Sequence, residues 1–447
     1  ELAARVVDLE VAGIDFITPD ISRSFNEAGG ICEVNNSPGL RPHWVAEGGE
    51  DRDVVNPILD RLFPPDQPHH VPIAAVTGTN GKTTTSYMLA HILKQAGQSV
   101  GLVSTLGVSV DGTFIAKGDL AGSPGFDMAC RHPDVGAIVC ESARGALIRR
   151  GLGFRNCDAG AVLNVTTDHL GEWGVASLEE MARVKEIVAT ATQGTLVLNA
   201  DDPLCLAMAE RATAERICLV SLEEQSAALN AHLAAGGCGA RLVDRGGQRI
   251  LTLSGPEGET GLLAAADIPA TLGGLARHNV QNALFAAALA SGMGISLETI
   301  RAALASFRSD HETLPGRVNV YDGHPFKVIL DYGHNPDGYR MIGPMVTAMA
   351  AGSGRRICVF TSPADRNDAH LGELAEAAAP HFDFFICRQG AQRDGAAVDV
   401  SAKLRDALIA QGISESDILA GQSPQAAIQA GLEMAQPGDV VYVMSSQ

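Results

Sequence analysis

The sequence has 447 residues, of which 46% are hydrophobic and 4% aromatic, with 49 glycines and a formal net charge of −19. A chain of this length is expected to hold about three domains, and this composition is typical of an α/β protein with many short strands and turns. The acidic balance argues against a nucleic-acid partner, because no basic run is longer than Arg149-Arg150 or Arg355-Arg356.

Cysteine usage and hydropathy indicate the compartment. Nine cysteines are scattered along the chain without a Cys-x-x-Cys pair. We interpret them as reduced thiols of a cytoplasmic protein, with a structural zinc site as the weaker alternative. The longest mildly apolar stretch, 261–276, contains Asp267 and Pro269, so we expect no membrane-spanning helix.

The first 63 residues alternate helix and strand signals, and "PPDQPHH" at 64–70 is typical of a linker. One predicted strand carries Asp15, and a second, in "GGICEVNNSPG", carries Glu33 and Asn35. Strand periodicity puts Glu33 and Asn35 on one face, where both oxygens can reach one magnesium ion. An ordinary strand that ends in a turn is the alternative for this segment.

The next region, 71–313, repeats an apolar strand, a polar or Gly-rich loop and a helix. This pattern predicts a doubly wound, mostly parallel sheet with sites at the carboxyl ends of its strands. The β-rich stretch 216–275 is expected to form a small subdomain, and 276–293 a helix. Strands are expected at 71–76, 100–104, 136–140, 159–163 and 195–198.

The stretch "SDHETLPGR" at 309–317 is typical of a hinge, after which the strand–helix alternation restarts. It predicts a Rossmann-like C-terminal domain. We therefore expect domains at 1–63, 64–313 and 314–447. The strands of the last domain are expected at 327–331, 356–361, 383–387 and 439–444.

The stretch "VTGTNGKTTT" lies between an apolar strand and an amphipathic helix. A loop at such a junction favours an anion, because free backbone N–H groups and the helix dipole point at it. Lys82 should reach the β- and γ-phosphates of a nucleotide, and Thr83 should offer its hydroxyl to Mg²⁺, with Thr84 as a second candidate. The alternative is a Gly-rich turn whose lysine faces solvent. The loop residues expected to cradle phosphate are Gly78, Thr79, Asn80 and Gly81.

Polar residues also follow two other predicted strands. Glu141 comes directly after the strand at 136–140, where a carboxylate could meet a phosphate-bound metal ion. Asp168 and His169 follow the strand at 159–163 in the same way. A surface Glu141 and a structural His169 are the alternatives. Lys185 lies beside the apolar stripe of a helix predicted at 178–191, where a surface lysine is the default interpretation.

These motifs, together with "CESARG", "NVTTDHLG", "RHNVQNALFAAALA", "LPGR" and "DYGHNPDG", occur in the order found in the Mur ligase superfamily, which the chain resembles from about residue 70 to 445. The resemblance implies an ATP-dependent acid–amino-acid ligase that forms ADP. It implies that Lys82 and Thr83 bind ATP and Mg²⁺, that Glu141 binds one Mg²⁺, and that His169 and a carbamylated Lys185 bind the second. It implies further contacts as follows: Asn282 with adenine, Arg317 and Asp331 with phosphates and ribose, and His334 at the edge of the cleft.

The first 63 residues resemble the end of an ATP-grasp domain, and this fusion resembles the cyanophycin synthetase family. That resemblance implies that an acyl-phosphate is formed and that arginine is coupled to aspartate β-carboxylates of an acidic polyamide, in a cytoplasmic homo-oligomer. We expect that the ATP-grasp site needs more than this chain. The loop 117–127 differs from the Thr-Thr-Pro of cell-wall enzymes. Another acceptor (a related polyamide, a cell-wall precursor or a folate) and a catalytically idle nucleotide-binding scaffold remain alternatives.

Overall fold

The computed structural model describes residues 2–24, 27–44, 50–64, 66, 69–168, 171–350, 352–363, 366–391 and 397–445. It divides the chain into two compact units, Glu1–Val71 and Pro72–Gln447. Apart from residues 64–71, the predicted middle and C-terminal domains both lie in the second unit.

The first unit contains one antiparallel strand pair, β1 (Gly13–Ile17) and β2 (Gly30–Asn35). The register sets Asp15 opposite Glu33, and Gly13 opposite Asn35. Because directly opposed residues of an antiparallel pair lie on the same face, Asp15, Glu33 and Asn35 share one face of this ribbon. The helices of the unit are α1 (Leu2–Val6) and α2 (Val55–Leu62).

The second unit contains a large sheet of eleven strands. These are β3 (Ile73–Thr77), β4 (Val100–Ser104), β5 (Gly107–Val110), β6 (Thr113–Lys117), β7 (Ala137–Glu141), β8 (Cys157–Val162), β9 (Thr192–Asn199), β10 (Arg216–Ser221), β11 (Cys238–Arg245), β12 (Gln248–Gly255) and β13 (Gly258–Ala264). Their spatial order is β13-β12-β11-β10-β9-β8-β3-β7-β4-β5-β6. The strands from β11 to β4 run parallel, and antiparallel strands close both edges.

Helices cover both faces of this sheet, as the strand–helix alternation predicts. They are α3 (Lys82–Gln95), α4 (Ser123–Cys130), α5 (Arg144–Arg150), α6 (Leu178–Ala191), α7 (Pro203–Leu206), α8 (Ala227–Ala234), α9 (Arg277–Gly292) and α10 (Leu297–Ser306). Alternate residues of β3 point to opposite faces. Val76 packs with Leu89 and Phe285 of α3 and α9, whereas Ala75 packs with Leu147 and Val188 of α5 and α6.

The β-rich stretch 216–275 differs from the expected subdomain. Strand β10 pairs with β9, and β11, β12 and β13 follow it outward in the same sheet. Their apolar residues, such as Val220 and Leu251, belong to the same core cluster as β3 and α9. The prediction of a separate subdomain is wrong because these strands bury their apolar face against α9 and not against one another.

The C-terminal part forms a six-stranded sheet in the order β14-β15-β21-β16-β17-β20, parallel except for β14. Its strands are β14 (Asn319–Tyr321), β15 (Lys327–Asp331), β16 (Arg356–Phe360), β17 (Phe384–Arg388), β20 (Ile418–Gln422) and β21 (Val440–Met444), and β18 (Gly390–Ala391) and β19 (Ala397–Val398) form a short separate pair. Its helices are α11 (Pro336–Met349), α12 (Asp368–Ala378), α13 (Ser401–Ala410) and α14 (Pro424–Met434). All nine strands predicted between residues 71 and 444 are confirmed, with small shifts at their ends.

Candidate active site

Strands β8, β3, β7 and β4 lie side by side at the centre of the large sheet and run parallel. Their carboxyl ends therefore meet at one edge, where β3 ends at Thr77 and β7 ends at Glu141. The P-loop, residues 78–81, leaves β3 at this edge and leads into α3. The predicted phosphate loop and the predicted metal carboxylate thus begin from neighbouring strands.

The P-loop is held tightly by its neighbours. Gly81 has a left-handed backbone (φ +86) at the N-cap of α3, and a Cβ built on it would lie 2.4 Å from Oδ1 of Asn282. The backbone N–H of Thr79 donates to the carbonyl oxygen of Asn164 across 3.0 Å. The N–H of Asn80 donates to Oδ1 of Asn164 across 2.8 Å. Glycine at 81 is required both by the backbone conformation and by the space beside α9.

Lys82 does not face bulk solvent, so the solvent-facing alternative is wrong. Its Nζ donates to the carbonyl oxygens of Gly78 (3.0 Å) and Thr79 (2.9 Å), which holds the ammonium group against the P-loop. Burial lowers the pKa of Lys82, whereas the charges of Glu141 and Asp168 act in the opposite direction.

Glu141 is fully buried, which excludes a surface role. Its Oε2 accepts a hydrogen bond from the N–H of Thr105 (3.2 Å), and its buried Oε1 has no hydrogen-bond partner among the described residues. Burial raises the pKa of Glu141, and the charges of Lys82 and Arg317 oppose this shift. A buried carboxylate oxygen of this kind fits a hard cation.

The buried Thr83 lies beside Glu141. Its hydroxyl is 3.3 Å from that of Thr105, whose N–H binds Glu141. Within the described part of the chain, no group of three or more His, Cys, Asp or Glu side chains is arranged to hold a metal ion.

Lys185 is 2% exposed, so the default interpretation as a surface lysine is wrong. It lies on α6, which begins at a capping box formed by Ser177 and Glu180. Burial, together with the positive charge of Lys82, lowers the pKa of Lys185 to about 7, while Asp168 acts in the opposite direction. A buried amine with a lowered pKa is in part neutral near pH 7, and the neutral form can act as a nucleophile.

Asp168 connects the two halves of the second unit. Its Oδ1 accepts a hydrogen bond from Nη2 of Arg366 (3.0 Å), and its Oδ2 lies 3.2 Å from Nε2 of His334. Nη1 of Arg366 also donates to Glu172 (3.0 Å). The predicted ligand His169 lies outside the described residues, so its role stays a prediction.

Three further predicted nucleotide contacts line the same cavity. Asn282 is buried on α9 and accepts a hydrogen bond from the hydroxyl of Thr85 (3.2 Å). The guanidinium of Arg317 lies over the ring of Tyr332, with 4.4 Å between its Cζ and the ring centroid. Asp331 ends β15 and accepts hydrogen bonds from the N–H groups of Val318 and Gly333. Their contacts with a nucleotide stay predictions.

A cavity of about 1650 Å³ lies between the large sheet and the C-terminal sheet. Its lining includes the P-loop, Glu141, Lys185, Arg317 and Asp331. The predicted residues of the second unit that the structure describes therefore meet in one place. Asp15, Glu33 and Asn35 belong to the first unit, and their binding of Mg²⁺ stays a prediction.

Sequence reasoning missed the side chains that join the two sheets. Asn335 contacts Asn80 of the P-loop, and Arg144 pairs with Glu172, which in turn contacts Arg366. The Asn-Pro pair at 335–336 is a helix N-cap signal that marks a fixed asparagine. Nothing in the local pattern indicates which distant loop that asparagine would contact.

Comparison with known proteins identifies the class. Residues 76–290 match the Mur ligase middle domain, and residues 316–447 match the Mur ligase, glutamate ligase domain. The chain belongs to the Mur ligase family. Among solved structures, the chain is similar to a complex of E. coli FolC with DHPP and ADP. The TM-score is 0.60 at 19% identity, and the match covers 83% of this chain and 85% of the FolC chain, so the two share a fold.

Among curated proteins the chain is similar to cyanophycin synthetases. It is 37% identical to the one from Crocosphaera subtropica over 99% of this chain and 50% of the relative. It is 40% identical to the one from Synechocystis sp. over 88% of this chain and 45% of the relative. The chain thus spans about half the length of the curated relatives it matches. No helix among the described residues has the length and apolar character needed to cross a bilayer.

Proposed function

We propose that this chain carries an ATP-dependent amide ligase that activates a carboxylate as an acyl-phosphate for attack by an amino-acid amine. The observation that supports this most directly is that Lys82, Glu141 and buried Lys185 line one cavity, where Oε1 of Glu141 has no hydrogen-bond partner in the described part of the chain. Lys82 offsets the charge of the γ-phosphate as the carboxylate approaches it. The cavity can hold both reactants next to each other.

The proposed magnesium sites use side chains at the strand ends. Thr83 and Glu141 would hold one ion, and His169 with Lys185 would hold the second. Bound Mg²⁺ supplies charge neutralisation on the phosphate oxygens. A protonated Lys185 would repel Mg²⁺, so we propose that Lys185 binds the ion as a carbamate anion. Its neutral amine nitrogen attacks the carbon of CO₂, forms the N–C bond and loses a proton to solvent. The low pKa of Lys185 supports this step, because it keeps a large share of the amine neutral near pH 7.

For the substrates, we propose arginine as the incoming amino acid and the aspartate β-carboxylates of an acidic polyamide, cyanophycin, as acceptors. The similarity to cyanophycin synthetases supports this choice. The charge of the cavity also supports it. With Lys185 carbamylated as proposed, its lining has eight basic and eight acidic side chains, although the chain carries a net charge of −19. A cleft that is close to neutral in an acidic protein repels an anionic acceptor and a nucleotide less than the rest of the surface does. The basic residues are Lys82, Arg144, Arg149, Arg150, Arg317, Arg340, Arg366 and Arg388.

We propose that the first unit is the end of an ATP-grasp domain in which Asp15, Glu33 and Asn35 bind Mg²⁺, since all three share one face of a ribbon. A cytoplasmic location and a homo-oligomeric state belong to the same proposal.

The decisive experiment offers each of the twenty amino acids, with an aspartate-rich primer and ATP, to the full chain and measures phosphate release. Release that is highest with arginine supports the proposal. Release that depends on another amino acid or acceptor identifies a different Mur-type ligase. Binding of ATP without release under any of these conditions identifies an idle scaffold and overturns the proposal.

A further inference from the structure

Three asparagine side chains join the P-loop to both sheets of the second unit. Asn164, which follows β8, accepts the N–H of Asn80 at its Oδ1 (2.8 Å), and its Nδ2 donates to the carbonyl oxygen of Asn80 (3.2 Å). On the opposite side, Nδ2 of Asn80 donates to Oδ1 of Asn335 (3.2 Å), and Nδ2 of Asn335 donates to Oδ1 of Asn80 (2.8 Å). Asn80 is therefore held by its backbone to the large sheet and by its side chain to the C-terminal sheet.

Asn335 is itself held in one orientation. It is the N-cap of α11, where its Oδ1 also accepts the N–H of Gly338 across 2.9 Å, and it is 1% exposed. An amide that is fixed by a helix end and then paired twice with a second amide defines a distance and an angle between the two elements. A single hydrogen bond would leave the angle free.

We propose that Asn335 is a positioning residue, which sets the conformation of the P-loop from the C-terminal sheet. Asn80 lies two residues before Lys82, and Lys82 bonds to the carbonyl oxygens of Gly78 and Thr79. The orientation of Asn80 therefore determines where the loop N–H groups and the lysine point. This inference rests on the proposed function, because it assigns Asn335 an effect on a nucleotide bound at the P-loop.

The inference has a thermodynamic consequence. If docking of the C-terminal sheet fixes the P-loop, nucleotide binding must favour docking by the same free energy. The pair of Asn80 and Asn335 is uncharged, which suits a site beside phosphates. An aspartate at either position would remove an amide N–H donor and bring a negative charge towards the phosphates.

The test uses the full chain with Asn335→Ser, Asn80→Ala and the double variant. Serine keeps a cap for α11 but is too short to pair with Asn80. Ser423→Ala is the matched control, because Ser423 caps α14 through the N–H of Ala426 and is not among the described residues that line the cavity. Affinity for a non-hydrolysable ATP analogue is measured by calorimetry, and amide exchange of residues 74–93 is measured by mass spectrometry.

We expect Asn335→Ser to weaken binding of the analogue roughly tenfold, the loss expected for one or two hydrogen bonds. Exchange in 74–93 should be faster. The double variant should bind the analogue no more weakly than the single variant with the lower affinity, because both single substitutions remove the same pair of hydrogen bonds. Three outcomes would overturn the inference while the proposed function stands. They are wild-type affinity in Asn335→Ser, additive losses in the double variant, and an equal effect of Ser423→Ala. A wild-type chain that binds no analogue overturns both.

Discussion

Arg366, which lies between β16 and α12, donates from Nη2 to Oδ1 of Asp168, which follows β8, across 3.0 Å, and the two side chains are 5% and 6% exposed. Removing one partner of a buried ion pair leaves the other charge without compensation and is strongly destabilising. The contact therefore fixes the two sheets relative to each other beside the cavity that both side chains line.

Replacing Lys82 tests the central assignment. Lys82→Ala removes the cation proposed to lie against the γ-phosphate, and we expect kcat for ligation to fall on the order of 10²–10³-fold. The far-ultraviolet circular dichroism should not change. The control is Lys94→Ala in the same helix, whose exposed Nζ contacts only the carbonyl oxygen of Asp111 among the described residues. Near-normal turnover of Lys82→Ala would remove the site.

Replacing Glu141 tests the metal assignment. Glu141→Gln keeps an acceptor for the N–H of Thr105 but removes the charge. We expect the half-saturating Mg²⁺ concentration to rise roughly tenfold or more. The free energy of unfolding should not fall, because a buried charge is lost. Magnesium titration and urea denaturation measure the two effects, and an unchanged magnesium requirement would contradict the assignment.

Replacing Lys185 tests carbamylation. Lys185→Ala should abolish ligation, and short carboxylates or added bicarbonate should partly restore it by supplying an anion in the vacated space. Lys185→Met fills that space, so the same additives should not rescue it. Identical responses of the two variants would count against an anionic role, as would a crystal structure of the active protein in which Lys185 is unmodified.

Replacing Gly81 tests the shape of the P-loop. Gly81→Ala strains a left-handed backbone at φ +86 and places Cβ 2.4 Å from Oδ1 of Asn282. Gly97→Ala is the matched control. The φ of Gly97 is +82, and no atom of the described residues beyond its chain neighbours lies within 4 Å of a Cβ built on it. We expect Gly97→Ala to cost about 1 kcal/mol and Gly81→Ala clearly more, with loss of nucleotide binding in Gly81→Ala only. Equal unfolding free energies of the two variants would refute the close packing.

The pH dependence of stability can be tested at Asp439, which is 3% exposed and accepts hydrogen bonds from Gln436 and Arg355. Burial raises the pKa of Asp439, but these hydrogen bonds and the charge of Arg355 outweigh it and set the pKa below its usual value of 3.8. The stabilisation is therefore present above pH 3.8 and is lost as the pH falls through the lower folded-state pKa. Asp439→Asn should cost about 1–3 kcal/mol at pH 7, and the difference from wild type should shrink towards pH 2. A constant difference in denaturation midpoints would contradict this.

Local patterns identify much of the fold because buried parallel strands are continuous apolar runs. The runs at 100–104 and 327–331 coincide with strands of the structure. The strands β6, β14 and β20, at the edges of the two sheets, carry no comparable signal. They are short, β6 is largely exposed and β20 is only partly buried, so side-chain burial leaves little trace in their sequences. Motif order likewise predicts Lys82, Glu141 and Lys185 as site residues.

The sequence alone determined the class of protein, the succession of strands and helices, and the chemical groups available at the strand ends. Tertiary structure alone decided that Lys185 is buried, that 216–275 extends the large sheet, and that Asn335 pairs with the P-loop. These facts depend on contacts between residues far apart in the chain. Local periodicity reports which face of an element is apolar, and it does not report which distant element covers that face.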